Sequence, residues 1–159
     1  MRKLLSTGLV IFAGVASTPV SKTFEAPVST TSPDYRTDPR FQALRNFFER
    51  FDCPALAYSR EFLEAADDYN LDWRLLPSIS YVESTGGKTA PHNNLFGWDS
   101  GRAQFTSPAA GIYVVAYRLA YSGLYRDKGL NEVLATYNPV AEYAPKVKSI
   151  MRQIAPSEQ

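Results

Sequence analysis

Leu75-Leu76-Pro77-Ser78-Ile79-Ser80-Tyr81-Val82-Glu83-Ser84, followed at once by Thr85-Gly86-Gly87, is the stretch on which the reading of this chain turns. Leu75, Leu76, Ile79 and Val82 recur at helical spacing; at about 100° per residue they span an arc of about 120°. Pro77 falls near the first turn, where its missing N–H does little harm. Asp72 stands where an N-cap belongs, so the spacing predicts a helix from Asp72 through Ser84. Glu83 lies inside the apolar arc, not opposite it. A carboxylate on a buried face loses solvation, which raises its pKa, and the last turn sets it against the negative end of the helix dipole. Both effects favour the protonated acid, the form that a general acid for glycosidic cleavage needs. The alternative makes Glu83 a structural residue that caps a loop amide or pairs with Arg74 or Lys88.

Outward from this helix, the rest of the folded chain also reads as helical. Asp38-Pro39 is an N-cap followed by proline at the first helical position. Phe41, Leu44, Phe47, Phe48 and Phe51 then keep helical spacing up to Asp52-Cys53-Pro54. A second helix is predicted from Ser59 to Tyr69, closed by Asn70. Thr85 to Ser107 carries no helix signal and holds four of the nine glycines, with a short ribbon expected around Phe96 to Phe105. Ser107-Pro108 restarts a helix with Ile112, Tyr113, Val115, Tyr117 and Leu119 as packing residues, and Leu130–Tyr137 and Ala141–Ile154 supply two more. The expected fold is all-α, with one Gly-rich excursion of the kind that carries function.

Composition bounds the chemistry. The chain has 159 residues, 45% hydrophobic, with seventeen basic and sixteen acidic side chains. A net charge of +1 argues against binding that rests on phosphate neutralisation, so no nucleic-acid partner is expected. One cysteine and one histidine argue against a disulfide framework, a Cys- or His-based metal site and a Ser-His-Asp triad. No metal or cofactor is expected. Cys53 reads as a small buried residue ahead of an intermolecular disulfide, and His92 as an exposed loop residue.

Met1-Arg2-Lys3, the uncharged run Leu4 to Ala16, and the small residues Gly14 and Ala16 read as a secretory signal peptide over 1–17. The run is short for a membrane span, so stable insertion is not expected. Its removal leaves fifteen basic and sixteen acidic side chains in a secreted or periplasmic protein. A Ser/Thr/Pro-rich flexible leader is expected over 18–37 and a single domain over 38–156.

Three motifs carry a resemblance. Asp72-Trp73-Arg74-Leu75-Leu76-Pro77, Tyr81-Val82-Glu83-Ser84-Thr85-Gly86-Gly87-Lys88 and Asn93-Asn94-Leu95-Phe96-Gly97-Trp98 together resemble the glucosaminidase domain of bacterial cell-wall hydrolases. Thr136-Tyr137-Asn138-Pro139 and the run Tyr143 to Val147 resemble the Tyr-Asn segment of soluble lytic transglycosylases. Both groups belong to the lysozyme-like superfamily, a mostly helical fold whose cleft binds alternating amino-sugar glycan. The resemblance covers roughly Ser59 to Ile154. Glu-Ser alone is a weak motif; Glu-Ser, Asn-Asn-Leu-Phe-Gly and Tyr-Asn-Pro in this order are more specific together. The chain departs from the pattern at Gly86, where the family often has a large aromatic, and in its short excursion, which leaves few residues for a second lobe.

The resemblance implies that Glu83 is the catalytic acid, that Asn94, Phe96 and Gly97 shape the turn facing it, and that Tyr137 projects toward it, orienting it or stabilising charge. On residue chemistry, Gly97 permits close backbone approach. Phe96 and Trp98 offer flat faces to pyranose rings, and Asn94 and Gln104 can bond acetamido and hydroxyl groups. Phe96 reads first as core; Trp98, beside Asp99 and Ser100, reads first as a stacking face. Asp99 is the only acidic residue between Glu83 and Asp127. It reads first as an Asx-turn residue and second as a catalytic partner. In the second case a separation of roughly 5 Å from Glu83 means retention and roughly 6.5–9.5 Å inversion. The expected activity is a peptidoglycan glycan-strand hydrolase of the endo-β-N-acetylglucosaminidase kind. The alternatives are a lytic transglycosylase giving anhydro products and a non-catalytic cell-wall binding or scaffold protein.

Overall fold

Asp38 and Pro39 start the first long helix as their residue types require. The Asp38 carboxylate accepts the Arg40 N–H at 2.8 Å, and Pro39 takes the first helical position of α1, Pro39–Arg50. The computed structural model describes residues 34–156. Five further helices follow: α2 Ser59–Asp68, α3 Leu75–Ser84, α4 Pro108–Tyr121, α5 Leu130–Tyr137 and α6 Tyr143–Ile154. Three short 3-10 turns, Tyr35–Thr37, Pro54–Tyr58 and Pro91–Asn93, join them, and no strand occurs among the described residues. The domain is all-α. The expected signal peptide and most of the expected leader lie outside the described residues.

α3 is the central element. Every residue from Leu75 to Ser80 is buried, the serines Ser78 and Ser80 included, so this half of the helix is covered by neighbours all round. α6 lies along it, while α2 meets α1 on one side and α4 on another. An aromatic path ties these layers together. Tyr81 meets Phe47 at 5.2 Å, Phe47 meets Phe48 at 5.7 Å, Phe48 meets Phe62 at 5.6 Å and Phe62 meets Phe96 at 6.3 Å between ring centroids. Burying each such ring contributes about 1.5–3 kcal/mol. The path therefore anchors the 85–107 excursion, through Phe96, to three helices at once.

Three boundaries differ from expectation. α3 begins at Leu75, because Asp72 is spent on a turn in which its carboxylate accepts the Arg74 N–H at 2.9 Å. Residues 34–37 pack on the helices, so the last part of the expected leader belongs with the domain. Tyr35 is buried, and its hydroxyl donates to Asp67 at 2.8 Å beside the Arg40–Asp67 pair. A single anchoring tyrosine leaves no periodic signature. The ribbon expected around Phe96 to Phe105 is absent. Gly97, Asp99, Ser100 and Gly101 have φ between 54° and 81°, which turns the chain back where strand pairing needs extended backbone. The excursion closes instead at its ends, with the Phe105 N–H on the His92 carbonyl at 3.0 Å and Asn93 Nδ2 on the Phe105 carbonyl at 2.9 Å. His92 is exposed, as expected.

Cys53 is buried against Gly86. A Cβ on Gly86 would lie 2.7 Å from Cys53 Cβ and 2.8 Å from its Sγ. Burial pushes the thiol pKa up, toward the neutral form. That fits the small packing residue, and the same contact leaves no space for an aromatic at position 86.

Candidate active site

The residue after Glu83 begins the site. Ser84 is buried, and its hydroxyl proton is shared between the Ser80 carbonyl at 3.0 Å and the Leu95 carbonyl at 2.8 Å. Its oxygen also accepts the Gly87 N–H at 3.0 Å. Ser84 thus pins the returning chain to the end of α3. Thr85 closes the helix in the left-handed region, with φ 53°.

Asn94 folds what comes next. Its Nδ2 donates to the carbonyls of Trp98 and Ala103 at 3.0 and 3.2 Å, and its Oδ1 accepts the Trp98 N–H at 3.0 Å. The side chain is buried and its bonding capacity is engaged within the loop. Asn94 thus shapes the turn, one of the two roles expected of it, and the bonds that do so occupy the amide that a substrate contact would use. Phe96 is fully buried, so of its two readings the core one holds and the sugar-stacking one falls. The Phe96 carbonyl accepts the Tyr137 hydroxyl at 2.6 Å, which clamps the turn from α5. Tyr137 consequently acts on the turn and not by a hydrogen bond to Glu83.

These ties bring Gly97 onto Glu83. A Cβ on Gly97 would stand 2.7 Å from Glu83 Oε2 and 3.4 Å from its Cδ, and φ at Gly97 is 58°. Glycine is required twice over, by the backbone angle and by the carboxylate that fills the space. Glu83 is half-buried and makes no ion pair among the described residues. Arg74, one of its expected structural partners, bonds Asp72 and the Ala155 carbonyl.

Burial raises the Glu83 pKa, while Tyr143 and the positive charge of Lys146 pull against it. The Tyr143 hydroxyl lies close enough to Glu83 to influence its ionisation, yet it is buried and makes no hydrogen bond of good geometry. Burial and the Glu83 charge hold both Tyr137 and Tyr143 far above the ordinary tyrosine range, so both stay neutral.

Beside the carboxylate lies an open cleft of about 400 Å³, lined by Gly97, Trp98, Asp99, Ser100, Tyr125 and Tyr137. Gly97 both lines it and touches Glu83. The Trp98 ring meets Tyr137 at 5.7 Å and Tyr125 at 6.2 Å, and Tyr137 stacks on Tyr143 at 5.9 Å with the planes 6° apart. Aromatic rings therefore run from the cleft to the carboxylate. Asp99 is exposed and pairs with Arg102 at 2.7 Å. Gln104 is exposed and does not line this cleft.

Of the expected site residues, Gly97, Trp98, Asp99 and Tyr137 line the cleft and Glu83 touches it only through Gly97, whereas Asn94 and Phe96 serve the fold and Gln104 stands apart. Tyr125, Tyr143 and Lys146 were not expected in the site. Tyr143 and Lys146 belong to the Tyr143 to Val147 run and were legible there as a motif without a role; Tyr125 sits in a turn after α4 with no sequence signal. No group of three or more His, Cys, Asp or Glu side chains gathers to hold a metal ion among the described residues. No helix among them is long and apolar enough to cross a membrane. No family model matches the chain, and no curated protein matches its sequence.

Proposed function

We propose that the chain is a glycan-strand-cleaving enzyme of the lysozyme-like kind that acts on peptidoglycan, with Glu83 as general acid. The observation that carries this reading is the half-buried Glu83 carboxylate, raised in pKa by burial and lodged against a backbone that also lines an aromatic cleft. The order of the Glu-Ser, Asn-Asn-Leu-Phe-Gly and Tyr-Asn-Pro motifs supports the same substrate class. The basic and apolar start of the chain supports export to the periplasm or beyond.

In this mechanism, protonated Glu83 gives its proton to the glycosidic oxygen as the bond to the anomeric carbon breaks. Trp98 and Tyr125 offer aromatic surface to the sugar, and Tyr137 holds the Phe96–Gly97 turn against the acid. The Glu83 carboxylate then takes a proton from the nucleophile that attacks the anomeric carbon. With water as nucleophile, the reaction is hydrolysis in the manner of an endo-β-N-acetylglucosaminidase.

A second reading has the Asp99–Arg102 pair behind it. An Asp99 engaged by Arg102 on the exposed rim supplies no second carboxylate to the reaction, which favours a nucleophile within the substrate over water. The nucleophile is then the substrate's acetamido group, or an internal hydroxyl that gives an anhydro product as in lytic transglycosylases.

Mass spectrometry of products from purified peptidoglycan tests both. Wild type is expected to release muropeptides, and Glu83→Gln to lose about 10²–10⁴-fold of that rate. Equal release by the two proteins sinks the claim. Binding to sacculi without turnover, unaffected by Glu83→Gln, identifies a non-catalytic wall-binding protein instead. An anhydro product is one water lighter than its hydrolytic counterpart. A loss in Asp99→Asn as large as that in Glu83→Gln returns Asp99 to the chemistry.

A further inference from the structure

The motif Asp72-Trp73-Arg74 has no part in the site beside Glu83: none of its side chains caps α3, and none lines that cleft. All three residues line a second open groove, of about 600 Å³, at the other end of α3. The start of α1, with Arg40 and Ala43, and the residues after α6 supply the rest of its lining. At ~1.5 Å per residue, the helix axis carries Glu83 about 14 Å away from Arg74.

The charges around this groove are paired off. Arg74 donates to Asp72 twice, from Nε at 2.9 Å and from Nη2 at 2.6 Å, and its Nη1 donates to the Ala155 carbonyl at 3.1 Å. Arg40 bridges Asp38 at 2.8 Å and Asp67 at 2.7 Å. Two guanidiniums thus meet three carboxylates, so a bound anion gains nothing; each carboxylate is already held by an arginine, so a cation gains little. A purely apolar occupant would strip water from these ion pairs at a cost. Trp73 supplies what the charges do not. It is half-buried and packed on the core, and its indole N–H is neither buried nor hydrogen-bonded among the described residues. Beside it, Asp72 keeps a third of its side chain, 33%, exposed. A flat apolar surface with an open donor, next to carboxylate oxygens with lone pairs to spare, suits a neutral ligand that has one apolar face and many hydroxyls. A pyranose is such a ligand.

We propose that this groove is a second, non-catalytic glycan site: Trp73 stacks on a pyranose ring of the amino-sugar strand, and the Asp72 carboxylate, held in place by Arg74, accepts hydrogen bonds from its hydroxyls. A strand held here stays near the cleft, which raises the effective concentration of cleavable bonds on a polymeric substrate without any new contact at Glu83. The choice of an amino sugar rests on the glycan-cleaving reading above.

Trp73 and Trp98 are the two tryptophans of the chain, so each site can be watched alone. In Trp98→Phe, with Glu83→Gln added to stop turnover, Trp73 emission is followed as a soluble N-acetylglucosamine oligosaccharide is titrated in. In Trp73→Phe with Glu83→Gln, Trp98 reports on the cleft. Trp73 emission is expected to shift to the blue, saturably, as the sugar covers the ring. Ala43→Gln, which fills the groove and removes none of its contacts, is expected to weaken this binding by about tenfold, the upper end of what one stacked ring supplies, with Tm within about 3 °C of its parent. With Glu83 intact, Ala43→Gln is expected to lower the ratio of cleavage on sacculi to cleavage of a short oligosaccharide in the same proportion. A Trp73 signal that stays flat, or a shift that Ala43→Gln leaves unchanged, overturns the inference, and cleavage of peptidoglycan by wild type then leaves the glycan-cleaving reading standing. A Trp73 already screened from an added quencher in the free protein, and indifferent to the sugar, gives the groove to the chain itself and overturns the inference too. A saturable Trp73 shift in a protein whose wild type cleaves no peptidoglycan overturns that reading alone and keeps the groove as a glycan site.

Discussion

Gly97→Ala probes the contact on which the site is built. The new methyl would stand 2.7 Å from Glu83 Oε2, 3.4 Å from Cδ and 3.7 Å from Cβ, on a backbone with φ 58°. The left-handed backbone costs an alanine about 1 kcal/mol. Turning the Glu83 side chain off its rotamer to clear the methyl adds about 1 kcal/mol, for a total of about 2 kcal/mol. In a domain of this size that lowers Tm by about 8 °C. Activity suffers more than stability, because the displaced group is the proposed acid, and misplacement by about 1 Å costs about 10²-fold in rate. Gly101→Ala is the matched control. Its φ is 81°, yet a Cβ there meets nothing within 4 Å, so it pays the backbone term without touching Glu83. Thermal melts and release of fragments from purified peptidoglycan are compared for the two variants. Gly97→Ala is expected to melt lower and to lose about 10²-fold of the cleavage rate, with Gly101→Ala close to wild type in cleavage. A Gly97→Ala protein that cleaves as fast as Gly101→Ala would refute the placement of Glu83 against the turn.

Three further outcomes follow from the geometry. Asn94→Ala strands the Trp98 N–H and the Ala103 carbonyl, so it is expected to lower stability by about 2–3 kcal/mol and cleavage in parallel; a higher KM at unchanged Tm would make Asn94 a substrate contact. Burial raises the folded pKa of Glu83 above its unfolded value, so the folded state holds this proton more tightly. The stability linked to it is complete below about pH 4 and falls as pH rises through the folded pKa. Glu83→Gln is accordingly expected to melt above wild type at pH 7 and level with it at pH 4, and a gap of equal size at both values counts against the buried acid. Tyr35→Ala removes a buried ring and its bond to Asp67, at an expected cost of about 3 kcal/mol, or about 10 °C in Tm; melting curves that superimpose on wild type would return residues 34–37 to the leader.

Much of the fold was legible because helices declare themselves locally. The Leu75, Leu76, Ile79 and Val82 spacing, the Asp38-Pro39 and Ser107-Pro108 starts, and the bounds of α5 all lie within a few residues of one another, where periodicity and capping act. The miss at Asp72 is of the same local kind, since an aspartate can serve a turn as well as a cap. Tyr35 escaped for another reason: one ring that anchors to Asp67 on a different helix has no period to read.

Residue types alone determined that the chain is all-α and that Glu83 falls within the apolar arc of its helix. Only the tertiary structure decided the use of each loop residue. Asn94 and Gln104 offer the same amide, yet one is enclosed by the carbonyls of Trp98 and Ala103 and the other faces solvent. Phe96 and Trp98 are both flat and apolar, yet one fills the core against Phe62 and the other lines the cleft. Tyr143 bears on the ionisation of Glu83 from the last helix because α6 packs along α3. Capping and periodicity act between near neighbours in the chain, whereas desolvation and charge act across space, and that distance is set only when the helices close on one another.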